Sequence, residues 1–239
     1  MNDKTIVDNI YESNFDFSDY SLSEQAYFYI KKLFYSQKLI PSQKILYTDL
    51  ANQFGMSRTP VINALGRLEK EGYVNLIKNR GYFVSQISMK EAINTINARE
   101  LIETYCIEQS ANNLNQQPNI KDIAIKKLEK AHKAYDEYRP ESYNRRKFFL
   151  DRSFHLTLSS FSDNDVLLRY LADLFEEIYL RYPMALSLAT ERYDSAQKEH
   201  SDLVGYVLNG DISNLMKAIK LHYEKVRFYL FESIKKSFE

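Results

Sequence analysis

Glycine placement constrains this chain more than any other single feature. Four of its six glycines (Gly55, Gly66, Gly72 and Gly81) fall within 27 residues, and Gly205 and Gly210 are the only others in 239. Residues 88–239 are therefore poor in breakers and read as long helices, whereas 20–85 mixes short helices with tight turns. The expected fold is mainly α: a first region of short helices and turns, followed by an all-α bundle of six or seven helices.

The first region carries its elements in a fixed order. Ser21 or Ser23 can cap a helix to about Gln37, with Ala26, Ile30 and Leu33 inward and Phe34 beside them. A short helix from about Tyr47 to Phe54 follows, then the turn Gly55-Met56. A third helix runs from Ser57 or Arg58 to about Glu71, with Val61, Leu65 and Leu68 as its buried stripe and Gly72 able to terminate it. Val74–Ile77 and Tyr82–Val84 are β-rich, and 78–81 forms the tip between them.

That order is the order of a DNA-reading module. Recognition helices present their N-terminal residues to bases. Ser57, Arg58 and Thr59 occupy that end, Asn63 and Arg67 lie further along, and Lys78, Asn79, Arg80 and Gly81 form the wing tip. Arg58 has the fork that suits guanine O6 and N7. The net charge of zero hides an uneven distribution. Residues 1–20 carry −4, 21–85 carry +5 and the remainder −1. A basic segment suits phosphate contacts, although many solvated domains show such an excess.

The second region opens at Ser88-Met89-Lys90-Glu91, a capping-box pattern. Helical periodicity continues to Ile107, 112–119 reads as a loop, and further helices are expected at about 119–136, 141–160, 163–185, 191–208 and 211–237, with Pro183 able to shorten the fourth of the second region. Asp211 is a plausible N-cap. The chain thus reads as an acidic tail over 1–19, a winged helix-turn-helix over 20–85 and an all-helical domain over 86–239. The aromatic runs at Tyr27–Tyr29 and Phe228–Phe231 read as core or dimer interface. Cys106 reads as a buried helical residue that suits a reducing cytoplasm. No apolar run approaches the length of a membrane span.

Three of the four histidines have acidic company. Asp151 and His155 are four apart and share a helix face, His200 follows Glu199, and His222 lies in the last helix. One carboxylate and three imidazoles suit a divalent transition metal, although separate histidines more often cap, pair or face water. His132, on a Lys-rich helix, reads as exposed.

Two resemblances sharpen these readings. Ser57-Arg58-Thr59-Pro60-Val61, Ala64-Leu65, Arg67-Leu68-Glu69, Glu71-Gly72 and Arg80-Gly81 resemble the N-terminal domain of GntR-family transcription regulators. The family usually has Arg-Glu where Ile62-Asn63 stand, and often arginine where Thr48 stands, so the resemblance implies an unusual operator. Asp151–His155, Glu199-His200 and Gly210-Asp211 to His222 resemble the FadR-type C-terminal domain in its metal-binding subgroup. That resemblance implies Asp151, His155, His200 and His222 as ligands of zinc, nickel or manganese. It also implies a small effector, frequently a carboxylate, and makes Arg99 a candidate to hold it, with Arg181 and Tyr182 as weaker ones.

The expected protein is a homodimeric, cytoplasmic regulator of double-stranded operator DNA, with no catalytic residues. A direct metal sensor is one alternative. A metalloenzyme fused to a DNA-binding domain is another, disfavoured because the chain lacks His-Glu-x-x-His and a clearly placed general base.

Overall fold

A computed structural model describes residues 17–86, 88–139, 145–181 and 192–236. The acidic segment up to Asp16, Tyr182 and Pro183 lie outside the described residues. The chain divides into two compact units, 1–87 and 88–239.

The first unit begins with α1 (Leu22–Tyr35), set by a reciprocal capping box. Ser21 Oγ accepts from Glu24 N–H (3.3 Å) while Ser21 N–H donates back to Glu24 Oε2 (3.0 Å). The buried face is Ala26, Tyr27, Ile30, Lys31, Phe34 and Tyr35; Leu33, expected inward, is only half-buried. Strand β1 (Lys44–Ile45) precedes α2 (Tyr47–Phe54), which ends at Gly55 with φ +66°. Glycine takes that left-handed turn at no steric cost. Helix α3 (Arg58–Lys70) buries Pro60, Val61, Ala64, Leu65 and Leu68 and packs on α1 and α2. Strands β2 (Val74–Ile77) and β3 (Gly81–Val84) form the hairpin. The sheet is antiparallel in the order β1-β3-β2, with Val74 opposite Val84 and Ile45 opposite Tyr82. At its tip Asn79 has φ +63°, a conformation asparagine tolerates better than most residues.

The second unit is built around α4 (Met89–Gln116), capped by Ser88. Around it pack α5 (Pro118–Glu137), α6 (Arg145–Ser159), α7 (Asp165–Arg181), α8 (Tyr193–Asn209) and α9 (Ile212–Lys236). A 3-10 turn (Ser160–Ser162) follows α6. The loop expected at 112–119 is instead helix up to Gln116, with Pro118 starting α5. Leu114 is buried there, and Asn113 donates to the Phe161 carbonyl (2.9 Å), so packing overrides the weak helix propensity of asparagine. Asp211 caps α9 by accepting from Asn214 N–H (3.1 Å). Cys106 is buried. Among the described residues, no helix is long and apolar enough to cross a membrane.

Candidate metal centre and DNA-reading face

The inward stripe of α4 runs Ala92, Ile96, Arg99, Glu103, Cys106 and Ser110. Two charged residues in the middle of a core stripe need partners, because an unpaired buried charge is costly. Arg99 Nε donates to Glu103 Oε2 (3.1 Å), and the guanidinium lies 3.7 Å from the Phe175 ring centre. Glu103 also accepts from His155 Nδ1 on α6 and from the Tyr223 hydroxyl on α9. Burial would raise the Glu103 carboxyl's pKa, but His155, Arg99 and these hydrogen bonds hold it well below the usual carboxylate range.

A second carboxylate backs a second imidazole. Glu199 Oε2 lies 2.8 Å from His222 Nδ1, and Glu199 is neutralised by Arg192 and by Lys225 Nζ at 2.8 Å. Burial opposes ionisation of Glu199, but the His222 hydrogen bond and Arg192 bring its pKa down to about 2. His222 is itself pushed down to about 4, chiefly by burial, and His200 well below the ordinary imidazole range by burial and by His155 and His222. Neutral imidazoles are the metal-binding form.

His155, His200 and His222 come together from α6, α8 and α9. Their ring centres are 4.9–5.5 Å apart, and one nitrogen from each falls within 4.8 Å of the others. Asp151 Oδ1 is 3.8 Å from His155 Nε2 and 3.6 Å from His200 Nε2. Ligands of a tetrahedral site with arms of roughly 2.1 Å stand roughly 3.4 Å apart, so these spacings need only small side-chain movement. His155 Nε2, His222 Nε2 and both nitrogens of His200 are buried without a hydrogen-bond partner. Such orphans are rare in folded proteins. A carboxylate on Nδ1 leaves the Nε2 lone pair to a cation, the usual backing for a metal-bound histidine. The donor set therefore fits a divalent transition metal.

Arg99 is buried rather than surface-exposed, and its Nη2 lacks a hydrogen-bond partner. Arg181, at the end of α7, bonds to Glu177 (3.3 Å), which also accepts from Thr95 on α4. His132 is not exposed: it is half-buried, 3.4 Å from Asp136 and packed near Phe154, because its helix lies against α6 and α8. Glu103, Glu199, Arg192 and Tyr223 escape sequence reading. The only available hints are the four-residue step from Arg99 to Glu103 and the position of Glu199 beside His200, although Glu199 serves His222.

In the first unit, Ser57, Arg58 and Thr59 are exposed at the start of α3 and Asn63 in its middle, and Ser57 makes no capping bond. Lys78, Asn79 and Arg80 are exposed at the hairpin tip, and Gly81 has φ +92°. Arg67 is also exposed but tethered: it stacks 3.8 Å from the Tyr27 ring centre and bonds to Glu71 (2.9 Å), which also accepts from Tyr27 Oη (2.8 Å).

A winged helix-turn-helix joined to a helical unit with a buried histidine centre defines a DNA-binding, ligand-responsive regulator. The comparisons give the family. Residues 22–84 match the model described as bacterial regulatory proteins, gntR family, and 94–225, more than half of the chain, match the FCD domain. The chain belongs to the GntR family of transcription regulators, in the group with an FCD domain, and these are families of regulators rather than enzymes. It is 24% identical over 204 residues to the Uxu operon regulator of Haemophilus influenzae, covering 77% of this chain and 72% of that one. It is 24% identical over 154 residues to the Nta operon transcriptional regulator of Aminobacter aminovorans, covering 64% and 68%. In fold it resembles McbR/YncC of E. coli (TM-score 0.66, 19% identity, 90% of this chain and 99% of that one) and a GntR regulator from Rhodococcus sp. RHA1 (0.63, 14%, 88% and 97%).

Proposed function

We propose that the helical unit holds one divalent transition metal on Asp151, His155, His200 and His222, and that this centre binds a small carboxylate effector which changes operator affinity. The buried, unpartnered imidazole nitrogens carry this reading. Glu103 and Glu199 orient His155 and His222. When bound, the metal supplies a Lewis-acid position for one effector oxygen. Arg99 offers its fork to the carboxylate from a stack on Phe175, and Arg181 is the outer member of the effector set. Zinc, nickel and manganese each suit the donors.

On DNA, Ser57, Arg58, Thr59 and Asn63 meet bases and phosphates, Arg67 braces the helix near the backbone, and Lys78, Asn79, Arg80 and Gly81 supply the wing contacts. The protein acts as a cytoplasmic homodimer, so that two copies of α3 meet a two-fold operator. Leu101 and Tyr105 on α4, and Leu221 and Phe228 on α9, support a dimer face, because they are exposed apolar residues on helices packed together. Effector binding alters operator affinity only as far as the effector prefers one arrangement of the dimer, for which about 5–150-fold is typical.

The test uses the full chain and an operator selected from randomised duplexes. Operator affinity is measured for chelator-treated and metal-reloaded protein against a panel of small carboxylates. The proposal expects one carboxylate to shift affinity in the loaded protein alone and to lose its effect in Arg99→Ala. A response to metal with no response to any carboxylate would make the ion itself the signal and contradict the effector reading.

A further inference from the structure

Helix α3 carries two residues that its own fold does not require. Its inner face, Pro60, Val61, Ala64, Leu65 and Leu68, is buried. Along the outer face Arg58, Ile62 and Gly66 follow at steps of four and form one line down the helix. Ile62 is 39% exposed, so an apolar side chain stands in water on a face otherwise made of Arg58, Thr59, Asn63, Arg67 and Lys70. Gly66 lies in the helix interior without a positive φ, and a Cβ added there would meet nothing within 4 Å. Neither backbone conformation nor internal packing calls for glycine, which is among the poorest helix formers. Two of the polar neighbours on that face are exposed but tethered to the fold: Arg67 lies on the Tyr27 ring and bonds to Glu71, and Asn63 Nδ2 donates to Ser23 Oγ (3.4 Å). Arg58, Ile62 and the bare backbone at Gly66 form a line beside these tethered side chains, on the face that a major groove would cover.

We propose that Ile62 reads a thymine through its C5-methyl group, and that Gly66 lets the DNA lie closer to α3 than any other residue would allow. Thymine is the natural base that offers a methyl group in the major groove, and apolar side chains are its usual partners. Ile62 lies one helical turn beyond Arg58, so the thymine lies near the base that Arg58 contacts. Closing the groove over both positions removes an exposed apolar group from water and gives the missing side chain at Gly66 a use. The inference rests on DNA binding by α3 and is independent of the metal and effector.

The experiment uses full-length protein and a duplex it selects from a randomised library. Each thymine in the protected segment is replaced in turn by deoxyuridine, which removes the methyl group alone. At one position per half-site, wild-type affinity is expected to fall about fourfold, the factor for burying one methyl-sized group. Ile62→Val keeps that sensitivity, whereas Ile62→Ala binds more weakly and is indifferent to the replacement. Gly66→Ala is expected to keep or raise the unfolding midpoint while losing affinity about fivefold or more, as an added methyl does in a filled interface. Equal deoxyuridine sensitivity in the wild type and Ile62→Ala would overturn the thymine contact. Undiminished affinity in Gly66→Ala would overturn the close approach.

Discussion

The residues proposed to bear on function are arranged in opposite ways in the two units. In the winged unit they are exposed and near one another in sequence: one thirteen-residue helix carries the proposed reading face and one hairpin tip the proposed wing contacts. In the helical unit they are buried and dispersed, with histidines from α6, α8 and α9 backed by Glu103 of α4 and Glu199 of α8. The first arrangement suits a partner that is itself a large surface, because the protein needs only a stiff helix with the right side chains outward. The second suits a small ion or ligand, which must be enclosed, oriented and stripped of water. Changes in the reading face are expected to alter binding while sparing stability, whereas changes in the buried centre strain packing and chemistry together.

Four substitutions press on that contrast, from the largest expected effect to the smallest. Leu65 is fully buried in α3, so Leu65→Ala is expected to destabilise the winged unit by roughly 2–5 kcal/mol. Calorimetric scans read alongside metal titration show whether operator binding alone is lost; simultaneous loss of metal binding would mean the units do not fold independently. Glu103→Gln keeps the side-chain shape and removes the charge that orients His155. Metal affinity is expected to fall about 10–100-fold, measured by competition with a chelating dye, while operator contacts are unaffected. Arg58→Ala is expected to remove about 1–3 kcal/mol of discrimination at one base pair, seen as relaxed preference at that position in selection. Ser21→Ala breaks the capping box of α1 and is expected to cost roughly 0.5–2 kcal/mol in unfolding free energy, with metal binding unchanged.

The same contrast governs how much sequence reading reveals. Ser57–Gly72 is a contiguous pattern of polar start, apolar stripe and stop, so α3 can be located from local rules, and the short helix before it and the hairpin after it read from local patterns of their own. Asp151 and His155 are equally legible, because a four-residue step puts both on one face. That His200 and His222 reach the same point depends on how α6, α8 and α9 pack, which no local spacing encodes. Whether Arg99 is a surface partner of Glu103 or a buried one has the same i,i+4 signature, and only the neighbouring Phe175 and Tyr223 decide it. The asparagine-rich stretch after Ala111 reads as loop by propensity, yet Leu114 and the Asn113 bond hold it in α4. Strand β1 has two residues, too few for any periodicity.

The most direct measurement is the metal content of the full-length protein, by elemental mass spectrometry after dialysis against zinc, nickel or manganese. The account predicts one tightly held divalent ion per chain for at least one of these metals, and none in a His155→Ala, His200→Ala, His222→Ala variant. A wild-type protein that retains no ion from any of the three would contradict it.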